Sequence, residues 1–87
     1  MAIVWFNQEM RQATGYSGSA TVEGTSIRAI VANLEKLHPG ISEAILYEGD
    51  ILPGLSVIID GNVGSIGVLE KVGEDSEVHF LPALGGG

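Results

Sequence analysis

The 87-residue chain sets eleven acidic residues against four basic ones, a formal net charge of -7, and contains no cysteine. That balance repels phosphate backbones and argues against a nucleic-acid partner, and the missing cysteines exclude disulfides, zinc-thiolate sites and a cysteine nucleophile. A 45 % hydrophobic content is too high for a disordered chain, no apolar run approaches the roughly 20 residues of a membrane span, and no basic-then-apolar leader is visible, so one domain of cytoplasmic location is expected.

Ala2-Ile3-Val4-Trp5-Phe6 is a β-rich apolar run and reads as a buried first strand, with Trp5 and Phe6 in the core. Gly15-Tyr16-Ser17-Gly18 is turn-like, and Ser19 to Glu23 alternates as a second strand, forming a hairpin with the first. A helix follows. Thr25 or Ser26 serves as its cap, and Ile27, Ile30, Val31, Leu34 and Leu37 recur at three- and four-residue steps to make one apolar face. His38-Pro39-Gly40 stops it, because proline disfavours helix in the residue before it and glycine suits a helix end. Ile41 to Leu46 reads as one further helical turn and Tyr47 to Gly54 as a polar loop.

Leu55 to Ile59 is the third strand, closed by a turn at Asp60-Gly61-Asn62. Val63 to Leu69, interrupted by two glycines, reads as a short irregular edge strand. Glu70 to Glu77 is a charged loop, and Val78-His79-Phe80-Leu81 is the last strand, its pairing ended on one side by Pro82. One amphipathic helix cannot bury its stripe alone, so it must lie across one face of a mixed α+β sheet of four to five strands. Residues 1–84 would form that domain, and Gly85-Gly86-Gly87 a flexible tail.

Three glycines after the last strand add nothing to a core, since glycine costs the most backbone entropy to order and offers no side chain to pack. They suit a thin terminus that threads a narrow channel, which places the chemistry on the α-carboxylate of Gly87; the competing reading is a frayed end. The helix ending His38-Pro39-Gly40-Ile41, the strand closing on Ile59-Asp60-Gly61, and the ending E-V-H-F-L-P-A-L-G-G-G together resemble the ThiS/MoaD family of sulfur-carrier proteins, most closely those serving cysteine or related small-molecule biosynthesis.

The resemblance implies a β-grasp (ubiquitin-like) fold. It implies a chain that is no enzyme and holds no cofactor or metal. Its terminal glycine would be adenylated by an ATP-dependent E1-like enzyme, then converted to a thiocarboxylate whose sulfur a second, biosynthetic enzyme accepts. Attachment falls on Gly87, and Gly85 and Gly86 thread the partner's channel. The family usually ends in two glycines; if Gly87 is native, Gly86-Gly87 is the reactive pair, and if it is a remnant, Gly85-Gly86 is. A protein modifier joined to target lysines, the small subunit of molybdopterin synthase, and an inert binding module remain as alternatives.

Strand alternation assigns the docking face. Val78 and Phe80 should point to the helix, with Leu55, Val57 and Ile59 inward on the neighbouring strand. Ile58, His79 and Leu81 then share the outer face, and with Pro82, Ala83 and Leu84 they form the expected partner-docking surface of a chain that is monomeric when free. His38, Asp60 and the Glu74-Asp75-Glu77 run read as structural or solvated groups, and no base-nucleophile or metal spacing emerges.

Overall fold

The computed structural model describes residues 1–82; the expectations placed on Ala83, Leu84, Gly85, Gly86 and Gly87 lie outside the described residues. Strand β1 (Ala2–Trp5) turns back through helix α1 (Gln8–Thr14) into the antiparallel strand β2 (Ser19–Val22), in the register Ala2 opposite Val22 and Trp5 opposite Ser19. Helix α2 (Ile27–Leu37) follows, then a 3-10 turn (Ile41–Ala44) and a small hairpin of β3 (Leu46–Tyr47) and β4 (Asp50–Ile51). Strands β5 (Leu55–Ile59) and β6 (Asn62–Val63), a second 3-10 turn (Gly67–Leu69) and β7 (Glu77–Pro82) complete the chain. The main sheet has five strands in the order β2-β1-β7-β5-β6. The final strand is thus central, parallel to β1 and antiparallel to β5.

Helix α2 forms where its apolar spacing predicts. Ser26 caps it by accepting the Ala29 N–H on its side-chain oxygen at 3.2 Å, and it buries Ile27, Ile30, Val31 and Leu34 on the sheet. Opposite them lie Ala2, Val4, Val22, Val57, Val78 and Phe80, all nearly solvent-free. Each of the larger of these side chains, Val, Leu, Ile or Phe, contributes about 1.5–3 kcal/mol when fully withdrawn from water. Leu37 departs from the predicted stripe: it is exposed, because the last turn of α2 stands over an open groove beside Thr21 and Val22 rather than over the core.

The hairpin loop holds a helix that periodicity does not predict. Asn7 accepts the Met10 N–H at 2.9 Å and caps the first turn of α1, and Gly15 ends it at φ 74°, a left-handed conformation that costs glycine little. Met10 from α1 is fully buried as part of the main core. Phe6, Tyr16 and His38 pack as an aromatic cluster at the same end, with ring centroids 4.7–5.3 Å apart. The expected polar loop at 47–54 holds most of the β3–β4 hairpin, which starts at Leu46, and the segment 63–69 contributes only Val63 to the edge strand β6 before its 3-10 turn.

Three carboxylates organise the connections. Glu35 accepts the N–H groups of Gly40 (2.8 Å) and Ser42 (3.0 Å) and the Ser42 hydroxyl (2.7 Å), holding the turn after α2. Asp50 accepts from the Ile51 and Val68 N–H groups and pins the second 3-10 turn to β4. Asp60, itself at φ 51°, accepts the Glu77 N–H at 2.9 Å and the buried Ser76 hydroxyl at 2.8 Å, which sets where β7 begins. These donors favour the ionised form and hold all three carboxyls below their ordinary pKa. Asp60 therefore does more than occupy a turn.

Candidate functional site

Strand β7 decides where chemistry at the carboxy terminus would be presented. Val78 and Phe80 face α2 and are buried, whereas His79 is half-buried and Leu81 is 47 % exposed on the opposite side. On β5, Val57 is buried and Leu55 and Ile59 pack against the core, leaving Ile58 on the outer face. The face assignment read from alternation is the one the structure has. Register then brings residues together that sequence distance separates: Ile58 sits directly opposite His79, and Ser56 opposite Leu81.

Two further residues complete this row. Trp5 pairs with His79 across the parallel β1–β7 ladder, and Val63 pairs with Ile58 across β5–β6. Trp5, His79, Ile58 and Val63 therefore cross four strands on one face. Trp5 was expected in the core; instead it is 40 % exposed, because β1 alternates and, among the described residues, no layer covers its outer face. Its indole stacks on the imidazole of His79, centroids 6.1 Å apart and planes 8° from parallel, and its N–H meets Glu77 Oε1 at 3.2 Å. Alternation within β1, with Val4 inward, is the signal that would have placed Trp5 outside.

The root of the tail is anchored by a residue that sequence reasoning missed. β1 pairs with β7 only as far as Trp5 opposite His79. Beyond that point Asn7 Nδ2 donates to the Phe80 carbonyl at 2.9 Å, supplying the donor that the departing backbone no longer offers. One amide thus caps α1 and ties down β7 just before its last two residues, Leu81 and Pro82. The clue was an Asn immediately before a helix-compatible segment closed by Gly15.

Elsewhere on the described surface, a groove of about 600 Å³ between α2 and the β3–β4 turn is lined by Arg28, Val31, Ala32, Lys36, Leu46 and others. Its hydroxyl–carboxylate pair, Ser42 and Glu35, is a backbone cap, and the lowered pKa makes Glu35 a poor base. Among the described residues, no helix is long and apolar enough to cross a membrane, and no three His, Asp or Glu side chains converge to hold a metal.

The mixed sheet with its crossing helix and central carboxy-terminal strand is the ubiquitin-like β-grasp fold. The same fold occurs in a chain of the Amycolatopsis orientalis BexX/CysO complex (TM-score 0.88, 24 % identity, all of both chains covered). It occurs also in Mycobacterium tuberculosis CysO (TM-score 0.85, 22 % identity, 97 % of this chain and 100 % of that one). Small archaeal modifier protein 1 from Methanosarcina acetivorans is similar again (TM-score 0.77, 20 % identity, 99 % of this chain and 95 % of that one). No protein-family model matches the sequence, and no curated protein resembles it in sequence.

Proposed function

We propose that the chain is a ubiquitin-like sulfur carrier that works through the α-carboxylate of Gly87, in the cytoplasm. The observation that carries this reading is that the central strand of a β-grasp sheet is followed in sequence by Ala83-Leu84-Gly85-Gly86-Gly87, with no side chain to obstruct a narrow channel over the last three residues. The similarity in fold to CysO chains supports it, one of them solved with a second protein, BexX.

A carboxylate is a poor electrophile. In the proposed cycle an E1-like partner lets the Gly87 carboxylate attack the α-phosphate of ATP, releasing pyrophosphate and leaving an acyl-adenylate. Sulfide then displaces AMP to give the thiocarboxylate directly; a persulfide donor displaces AMP as an acyl disulfide, from which a second thiol of the donor releases the thiocarboxylate while forming a disulfide. The thiocarboxylate serves as nucleophile for a sulfur-accepting biosynthetic enzyme. The carrier supplies the tail and a docking surface of Ile58, His79, Leu81 and Pro82 on the sheet together with Ala83 and Leu84. ATP belongs to the partner, and the free carrier is monomeric.

Intact mass after incubation with an E1-like adenylating enzyme, ATP and sulfide tests this. The expected product is heavier by the difference between sulfur and oxygen, with the change in the C-terminal peptide. Deleting Gly86 and Gly87 should abolish it and leave the melting temperature unchanged; a product that survives the deletion would remove Gly87 from the mechanism. A second reading, a modifier joined to target lysines, is favoured by the shared fold of small archaeal modifier protein 1. It predicts a larger covalent species in place of the thiocarboxylate.

A further inference from the structure

Trp5 is the chain's single tryptophan, and it stands on the sheet face that no helix covers. A large, mostly apolar ring left 40 % exposed forgoes part of the stabilisation that burial gives. Its neighbours orient it more than they cover it. The stack on His79 and the hydrogen bond to Glu77 Oε1 together restrain both side-chain torsions of the ring. A ring already oriented loses little entropy when a second surface closes over it, and tryptophan is over-represented among the few residues that dominate interface energetics.

The surroundings specify what that second surface must be. Val63 and Leu81 are exposed on the same face as Trp5, and half-buried Ile58 lies between them in the ladder. At the end of the sheet where β7 begins stand Asp60, Glu74, Asp75 and Glu77, all exposed. None of the five strands of the main sheet carries Lys or Arg. The four cations belong to α1 (Arg11), α2 (Arg28, Lys36) and the loop before β7 (Lys71). The face is apolar at its centre and acidic at one rim.

We propose that Trp5 is the anchor of docking through this face, and that the surface it fits is an apolar pocket rimmed by Lys and Arg on the adenylating enzyme. The enzyme's identity rests on the carrier reading; the anchor and the charge of its counterpart rest on the face itself. Steady-state adenylation with the E1-like enzyme, varying the carrier, tests both. Trp5→Thr keeps a strand-forming residue and should raise KM for the carrier about tenfold or more with kcat little changed, alongside a lower melting temperature from the lost stack and covered ring area. Trp5→Tyr, which keeps a stacking ring, should recover part of the loss. Glu77→Gln retains an acceptor for the indole while removing the charge, so it should weaken the rise of KM with ionic strength. A Trp5→Thr chain that melts lower but keeps its KM would make Trp5 a sheet-stabilising residue only and overturn the anchor, and a salt-independent KM would overturn the basic rim.

If the wild-type chain is not adenylated, the carrier reading fails while the anchor is still decided. A photo-cross-linker at position 5 of the full chain, used in the native host, then reports the contacting peptide. An apolar peptide flanked by Lys or Arg sustains the proposal, and acidic peptides or no cross-link overturn it.

Discussion

The two faces of one sheet are built from alternate residues of the same strands and do opposite things. Toward α2 stand Val4, Val78, Val57 and Phe80, each almost without solvent contact. Away from it stand Trp5, His79, Ile58 and Val63, matched to one another across four strands, with no second layer over them among the described residues. Both rows are rich in apolar atoms, so hydrophobicity alone does not distinguish core from surface in a chain this short. What distinguishes them is whether a second layer exists to pack on, and α2 with α1 supplies one layer only. The inner row holds the fold together, and the outer row is the surface proposed above for docking.

Substitutions on the two rows should separate these roles. Phe80→Ala should cost about 3–5 kcal/mol in urea or thermal unfolding, since it opens a cavity beneath α2; a loss under about 1 kcal/mol would mean that the inner face is not the core. Asn7→Ala removes a helix cap and orphans the Phe80 carbonyl at the point where the faces part. A loss of about 1–2 kcal/mol is expected, together with faster amide exchange at Met10, and unchanged exchange there would deny the capping role.

Asp60 links the faces by starting β7, and its contribution should depend on pH. Its folded pKa lies below the ordinary carboxylate value because the Glu77 N–H and the Ser76 hydroxyl favour the ionised form. Its stabilisation is therefore complete above about pH 4, the unfolded range, and is lost as pH falls through the lower folded value. Asp60→Asn, which tolerates the positive φ, should be less stable than wild type at pH 7, and the difference should narrow below about pH 4. A gap that stays constant down to acid would remove the charge from the explanation. The smallest effect on folding is expected at Leu81→Asp, within about 0.5 kcal/mol of wild type by thermal melting, although binding to the adenylating enzyme should weaken clearly. Undiminished binding would detach the outer row from docking.

Much of this could be read in the chain before any coordinates. The apolar stripe of α2, its Ser26 cap and its stop at His38-Pro39-Gly40 are local consequences of spacing, side-chain oxygens and proline sterics, and they are where the sequence puts them. The strands 55–59 and 78–81, and which of their residues face inward, follow from the two-residue repeat alone. The β-grasp fold was also legible, by resemblance of the motifs around these elements and of the carboxy-terminal ending.

Other features needed the assembled molecule. α1 carries a single buried side chain, Met10, so it has no stripe to detect. Trp5 looks like core in a run of apolar neighbours, and Leu37 looks like core at helical spacing. Their exposure depends on where the second layer stops, which no local pattern encodes. The same holds for Asn7 meeting Phe80 and Asp60 meeting Ser76 and Glu77, pairs brought together only by the order β2-β1-β7-β5-β6. Sequence determined the elements and the direction each side chain takes from its own backbone, because those are short-range steric and hydrogen-bonding preferences. Tertiary structure decided which of those directions meet another layer and which meet water, because burial is a property of what lies opposite.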